Sequence, residues 1–188
     1  MRVGVIAIQG DFEKHIHALQ SCNVAGLEVI QVRTPEDLTS VERVIIPGGE
    51  STTVGLLMQR YGMADALHKA AAAGMPMWGT CMGMILMAKT IVGRNQFSLG
   101  LLNIEVTRNA FGAQVHSFED EVKVVGLDHA VLGVFIRAPI VSKVEFPAEV
   151  LAEYDGRVVG VRQGKLLGTS FHPELTDDTR LHRFFLEL

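Results

Sequence analysis

The sequence predicts an α/β fold of three layers, with a mostly parallel central sheet between helices and an antiparallel extension toward the C-terminus. In the first half, short apolar runs at 3–8, 28–32, 43–46 and 75–78 alternate with segments of helical periodicity. Such repeated strand–helix units require right-handed crossovers and a parallel sheet covered on both faces. In the second half, strands follow one another through loops, and Asp155-Gly156 and Gln163-Gly164 suit tight hairpin turns. The chain has 188 residues, 48% hydrophobic, which suits a single domain over 1–188 with a sizeable core.

The run at 3–8 is continuous and β-rich, as in a strand buried on both faces. Phe12, Ile16 and Leu19 then recur at spacings of four and three, marking a helix that Gly26 closes. Strands are expected at 28–32 and 43–46, the latter stopping at Pro47-Gly48-Gly49. Val54, Leu57, Met58 and Tyr61 form the next helical stripe, and 64–73 an alanine-rich helix. A fourth strand at 75–78 leads into Gly79-Thr80-Cys81-Met82-Gly83, after which the apolar run 84–91 reads as a helix. Further strands are expected at 101–107, 121–125, 134–137, 149–154, 157–162 and 165–171, and 177–188 closes the chain as a helix. The composition shift near residue 100 marks a change of topology within one domain.

A net charge of −4, a pI near 6.0 and the absence of a Lys/Arg run argue against nucleic acid or a membrane surface as partner. Cys22 and Cys81 are too few for a disulfide framework, and eight Met fit a reducing, cytoplasmic setting. The opening apolar run is too short for a signal h-region, and no run approaches the roughly 20 apolar residues of a membrane span.

Chemistry concentrates after the strands. A Gly two residues to either side of Cys81 is the thiol form of a nucleophile elbow, in which small neighbours let the chain bend and push the central side chain outward. At a helix N-terminus a thiol gains thiolate character. The competing reading is a buried Cys in a tight turn. His172 lies just past a strand with Glu174 two residues on; in extended chain these point to one side, and Pro173 between them favours extension. That is the arrangement of a base oriented by a carboxylate. His15, His17, His68 and His182 in expected helices, and His116 and His129 in loops, are read as surface or capping residues. His-x-Glu lacks the later Cys pair of a zinc deaminase, and the 47–52 stretch lacks the Lys and spacing of a P-loop, so neither metal nor nucleotide binding is expected. The Gly48-Gly49 pair can instead present backbone N–H groups to an oxyanion, or serve as a strand-to-helix turn capped by Ser51 or Thr52. In a parallel sheet Gln9-Gly10, the 48–51 loop and Cys81 gather at the carboxyl edge of the strands.

Together these motifs resemble the class I (triad) glutamine amidotransferases, whose flavodoxin-like sheet carries a Cys-His-Glu triad. Within that class the chain is similar to the glutaminase subunits of pyridoxal 5′-phosphate synthase. The resemblance rests on Ile8-Gln9-Gly10, Pro47-Gly48-Gly49-Glu50-Ser51-Thr52-Thr53, Gly79-Thr80-Cys81, Arg108-Asn109-Ala110-Phe111-Gly112, Phe135-Ile136-Arg137-Ala138-Pro139 and Ser170-Phe171-His172-Pro173-Glu174-Leu175. It implies that Cys81 attacks the carboxamide of L-glutamine, that His172 shuttles the proton, and that Glu174 orients His172. It further implies an oxyanion hole from Gly48, Gly49 and the Met82 N–H, and substrate contacts from Gly49, Glu50, Ser51, Arg108, Ile136 and Arg137. Gln9 and Gly10 would face the synthase subunit that receives the ammonia, with no cofactor or metal. Met82 stands where this branch usually has Ala, and Ala113 where it commonly has Arg. A glutaminase serving another acceptor, such as the histidine-pathway enzyme, shares G-x-C-x-G, but 49–52 and 135–139 favour the synthase branch. A regulatory subunit of the same fold without turnover is the other alternative, and an intact Cys81, His172 and Glu174 argue against it.

Overall fold

The computed structural model describes residues 1–109 and 117–188. Its elements, in chain order, are β1 (Arg2–Ile6), α1 (Phe12–Ser21), β2 (Glu28–Val32), α2 (Pro35–Leu38), β3 (Arg43–Ile46), α3 (Ser51–Arg60) and α4 (Met63–Ala72). There follow β4 (Met77–Thr80), α5 (Met82–Met87), β5 (Ala88–Ile91), β6 (Leu102–Thr107), β7 (Phe118–Val124), β8 (Val131–Phe135) and β9 (Ile140–Val144). Last come β10 (Glu149–Tyr154), β11 (Arg157–Gln163), β12 (Leu166–Thr169), a 3-10 turn at Pro173–Leu175 and α6 (Arg180–Leu186).

Side-chain alternation in the short strands sets the layers. Val44, Ile46 and Met77 face one core, filled by Val54 and Met58 of α3, Leu67 of α4 and Met84 of α5. Ile45 and Trp78 face the other, filled by Leu19 of α1 and Leu181 and Phe185 of α6. Both sheet faces are thus apolar and both are covered, which is the condition under which a parallel sheet is stable. Truncating a fully buried ring such as Trp78 or Phe185 to Ala would cost about 3–5 kcal/mol.

The central strands run in the order β2-β1-β3-β4-β12, all parallel. From β12 the sheet continues antiparallel through β11, β10, β7 and β8, while β9, β6 and β5 branch from β11. β12 therefore joins the two halves: Thr169 pairs with Thr80 of β4, and Gly168 with Val161 of β11. Because β1, β3, β4 and β12 point the same way, the segments after them emerge at one edge.

Several boundaries differ from those the sequence suggests. The run at 84–91 is not one helix; α5 ends at Met87 and Ala88–Ile91 is strand β5, parallel to β6. All six residues of α5 are buried, so no polar face separates a helical from an extended period there. α1 stops at Ser21, followed by Asn23 in the left-handed region, with Gly26 in the turn beyond. α2, opened by a capping box between Thr34 and Asp37, and β9 have no counterpart among the expected elements. β8 ends at Phe135, so Ile136 and Arg137 leave the sheet. The second hairpin turns on Gly164-Lys165, flanked by the Gln163–Leu166 pair, one residue later than expected.

The turn from β4 into α5 is tight. Cys81 has φ 48° and ψ −103°, a sparsely populated conformation for a side-chain-bearing residue. Its N–H donates to the Thr169 carbonyl at 2.7 Å, and its own carbonyl accepts from the Ile85 N–H at 3.2 Å. A Cβ on Gly83 would lie 1.9 Å from the Ile46 carbonyl oxygen, and one on Gly79 would lie 2.4 Å from the Gly83 carbonyl carbon. Gly83→Ala should therefore lower stability by about 3 kcal/mol, the upper end for overpacking. Gly26→Ala has no heavy atom within 4 Å of the new Cβ; it should cost about 1 kcal/mol, through its left-handed backbone alone. Urea midpoints of the two variants provide the comparison, and equal losses would contradict the close-approach argument.

Candidate active site

Cys81, His172 and Glu174 are brought together at the carboxyl edge, each nearly buried, with exposures of 9, 4 and 4%. The His172 N–H donates to the Val134 carbonyl at 2.8 Å, which ties the segment after β12 to β8. His172 Nδ1 lies 2.7 Å from Glu174 Oε1. The contact is the one expected, but the backbone behind it is not extended. Pro173 opens the 3-10 turn Pro173–Leu175. With its fixed φ and missing N–H, proline suits the first position of such a turn, and the turn folds Glu174 back onto the ring. The imidazole also closes against the loop after β3, where a Cβ on Gly48 would lie 2.4 Å from His172 Cε1.

Burial disfavours a charged His172, yet its interactions with Cys81 and Glu174 push its pKa up to about 10. Burial would push the Glu174 carboxyl up; the rings of His15 and His172 outweigh this and hold it below the usual carboxylate range. Cys81 Sγ also lies 4.0 Å from the Ile136 carbonyl oxygen. As first residue of α5, Met82 carries a backbone N–H without an intrahelical partner, beside Gly49. Its side chain turns inward, 1% exposed, with Cε near Gly49.

A pocket of about 290 Å³ opens over the thiol. Gly49, Glu50, Ser51, Arg108, Ile136 and Arg137 line it together with Cys81, Met82 and His172. Glu50, rather than Ser51 or Thr52, caps α3, accepting from the Thr52 and Thr53 N–H groups at 2.9 and 2.8 Å. Those bonds hold its carboxyl at a pKa of about 2. Arg108 Nη2 lies 3.9 Å from Glu50, and Arg108 Nη1 donates to Gln96 Oε1 at 2.7 Å. Gln96 in turn donates to Ser51 Oγ at 3.0 Å. Arg137 adopts φ 44° at the exposed rim. The pocket thus offers both cationic and anionic groups at its mouth and a thiol at its floor, a match to a zwitterion with a reactive far end.

Gln9 and Gly10 are exposed outside this lining, with Gly10 backed against Gly48. Residues 110–116, which include Ala110, Phe111, Gly112, Ala113, Gln114 and His116, lie outside the described residues. Asn109 of the 108–112 motif also lines the pocket; Asp11 and Ile85 line it, and Gln96 supports its wall, without having been singled out from the sequence. Asp11, His172 and Glu174 hold ligand-type atoms within 4.8 Å of one another. His172 Nδ1 and Glu174 Oε1 are already committed to each other, so the group is better suited to orienting a base than to holding an ion. His17 and His129 are exposed as expected, whereas His15 and His182 are buried, contrary to the surface role read from their helices.

This fold is that of the glutamine amidotransferases. A crystal structure of a glutamine amidotransferase matches with a TM-score of 0.93 and 49% identity, covering 98% of this chain and 97% of that one. PurLQS from Thermotoga maritima, at 21% identity and a TM-score of 0.67, shares the fold over 99% of this chain and 97% of that one. The chain belongs to the SNO glutamine amidotransferase family, whose model matches residues 5–188. It is 54% identical over 193 residues to the pyridoxal 5′-phosphate synthase subunit PdxT of Herpetosiphon aurantiacus, covering 100% of both. It is 48% identical over 188 residues to the subunit of that name from Geobacillus sp. (strain WCH70), covering 100% of this chain and 96% of the relative.

The geometry sets a pH signature. Because the His172 pKa is raised, its charged contacts stabilise the fold fully below pH 6.5 and lose that contribution as pH rises through about 10. Ring NMR signals of His172 should titrate near 10, and Glu174→Gln should bring the midpoint down toward 6.5. A wild-type midpoint near 6.5 would contradict the described pair.

Proposed function

We propose that this chain is the glutaminase subunit of a pyridoxal 5′-phosphate synthase, hydrolysing L-glutamine to glutamate and ammonia and delivering the ammonia to the synthase subunit. The observation that carries the reading is His172, held at 2.7 Å by Glu174 and lining one pocket with a cysteine on a strained elbow. The family and its relatives supply the substrate and partner.

His172, whose pKa is raised to about 10, supplies the acid, and the thiolate is the reacting form of Cys81. The Cys81 sulfur attacks the carboxamide carbon, and the carbonyl electrons move to oxygen. The backbone N–H groups of Met82 and of the Gly48-Gly49 loop receive that oxyanion. His172 gives its proton to the amide nitrogen, the C–N bond breaks and ammonia leaves a glutamyl thioester. Water then loses a proton to His172 and adds to the thioester; the C–S bond breaks, releasing glutamate and the Cys81 thiolate. Protein groups and water balance every step, so the reading calls for neither metal nor cofactor.

At the pocket mouth Glu50, held ionised by its capping bonds, suits the substrate ammonium, and Arg108 and Arg137 suit its carboxylate. Gly49, Ser51 and Ile136 would shape the channel between them. Gln9 and Gly10, exposed beside the oxyanion loop, are assigned to the synthase interface, where docking reaches the catalytic loop directly through Gly48. We read residues 1–188 as one glutaminase domain acting in the cytoplasm; among the described residues no helix is long and apolar enough to cross a membrane. The inward turn of Met82 leaves the pocket open, which favours a working enzyme over a silent subunit.

The chain alone should release glutamate slowly, and its cognate synthase should raise the rate strongly; a partner that binds without raising it would overturn the assignment. Cys81→Ala should abolish glutamate release while leaving docking intact, measured by coupled glutamate assay and by co-sedimentation.

A further inference from the structure

The buried polar groups that this mechanism does not use gather in one place, behind Glu174. His15 of α1 and His182 of α6 are both 0% exposed. His15 Nδ1 lies 3.1 Å from His182 Nε2. His15 Nε2 lies 3.0 Å from Thr80 Oγ1 and 3.4 Å from Glu174 Oε2, the carboxylate oxygen that His172 leaves free. Trp78 walls the cluster edge-on, its ring centre 5.8 Å from that of His15 and 5.0 Å from that of His182.

The arrangement fixes where the hydrogens lie. An ionised carboxylate can only accept, so the His15 nitrogen facing it must carry the hydrogen. In a neutral ring Nδ1 is then an acceptor, and His182 Nε2–H must donate to it. His182 Nδ1 is left as a bare lone pair, and it is a buried atom without a hydrogen-bond partner among the described residues. An orphaned acceptor is tolerated better than an orphaned donor. Glu174 Oε2 is equally buried and lacks a hydrogen bond of good geometry, so the His15 N–H, shared with Thr80, is the donor poised to fix it.

We propose that His15 is a positioning residue: its Nε2–H, in a tautomer set by His182, holds the outer oxygen of Glu174 so that the inner oxygen stays aimed at His172. The inference rests on the catalytic reading of Cys81, His172 and Glu174. His15 touches no substrate and acts through the carboxylate. The charged or titratable groups facing it are Glu174 on the 3-10 turn, His172 before that turn, Asp11 at the head of α1 and His182 on α6. Burial keeps both His15 and His182 below the usual histidine range, as neutral donors require.

Three variants test this in the full chain, with and without synthase. His15→Leu should lower the synthase-activated kcat about tenfold, the lower end for residues that orient a catalytic ligand, with KM little changed. His15→Gln, whose amide nitrogen reaches the place of Nε2, should restore most of that loss; His15→Asn, whose nitrogen reaches only the place of Nδ1, should not. The second readout is iodoacetamide alkylation of Cys81 against pH, without glutamine or partner. Glu174 is held below its ordinary range, so losing a donor makes it protonate at higher pH. The acid limb should move up by about one pH unit, as one lost hydrogen bond to a charged group would give, in His15→Leu and His15→Asn but not in His15→Gln. A folded His15→Leu with wild-type kcat and acid limb would overturn the proposal, as would identical behaviour of the Gln and Asn variants. If His15→Leu does not fold, the Gln and Asn pair decides the matter. Because alkylation needs neither glutamine nor synthase, a wrong glutaminase assignment would show as normal alkylation shifts without turnover.

Discussion

Two backbone segments that meet more closely than any side chain allows give this site its shape. The turn after β4 presses Gly83 onto the Ile46 carbonyl and Gly79 onto Gly83 itself, which forces Cys81 into a strained, positive-φ conformation and stands its side chain out of the sheet edge. Everything else is arranged against that fixed point. The neighbouring strand β12, held in register by the Thr80–Thr169 pair and by the Cys81 N–H to Thr169 bond, delivers His172 three residues later. The loop after β3 stays bare at Gly48 because the imidazole occupies the space a side chain would need.

Electrostatics then makes the geometry reactive. A buried imidazole is ordinarily neutral, and His15 and His182 follow that rule. His172, only slightly less buried, does the opposite because its interactions with Cys81 and Glu174 outweigh the effect of burial. The same fold thus holds neutral and charged histidines within one cluster, separated by a single carboxylate. A charge-assisted hydrogen bond of this kind is worth about 1.5–3 kcal/mol, which is enough to decide a protonation state but not to hold a strained turn. The close-packed strands supply that rigidity instead.

Much of this was legible in the residues. Gly79 and Gly83 announce the tight turn by spacing alone, and the spacing of His172 and Glu174 announces their contact. The failures have physical causes. Spacing of two was matched to extended chain, although Pro173 equally suits the start of a 3-10 turn. The 84–91 run lost its helix–strand boundary because every residue of α5 is buried and periodicity needs a polar face. α2 went unseen although Thr34 and Asp37 carry a capping box, because four residues are too few to show a stripe. His15 was assigned to the surface, yet it falls within the Phe12, Ile16, Leu19 stripe, three residues from the first and four from the last. His182 sits likewise among Leu181, Phe185 and Leu186. A polar residue inside an apolar stripe was the available signal.

The placement of β12 between the two halves of the sheet has a temporal consequence. Cys81 and its elbow belong to the part of the chain made first, whereas His172, Glu174 and His182 all come from its last segments. The strand that leads to them pairs with β4 on one side and with β11, itself paired with β10, on the other. During synthesis Cys81 therefore emerges well before His172, and the two meet only once β12 lies beside β4.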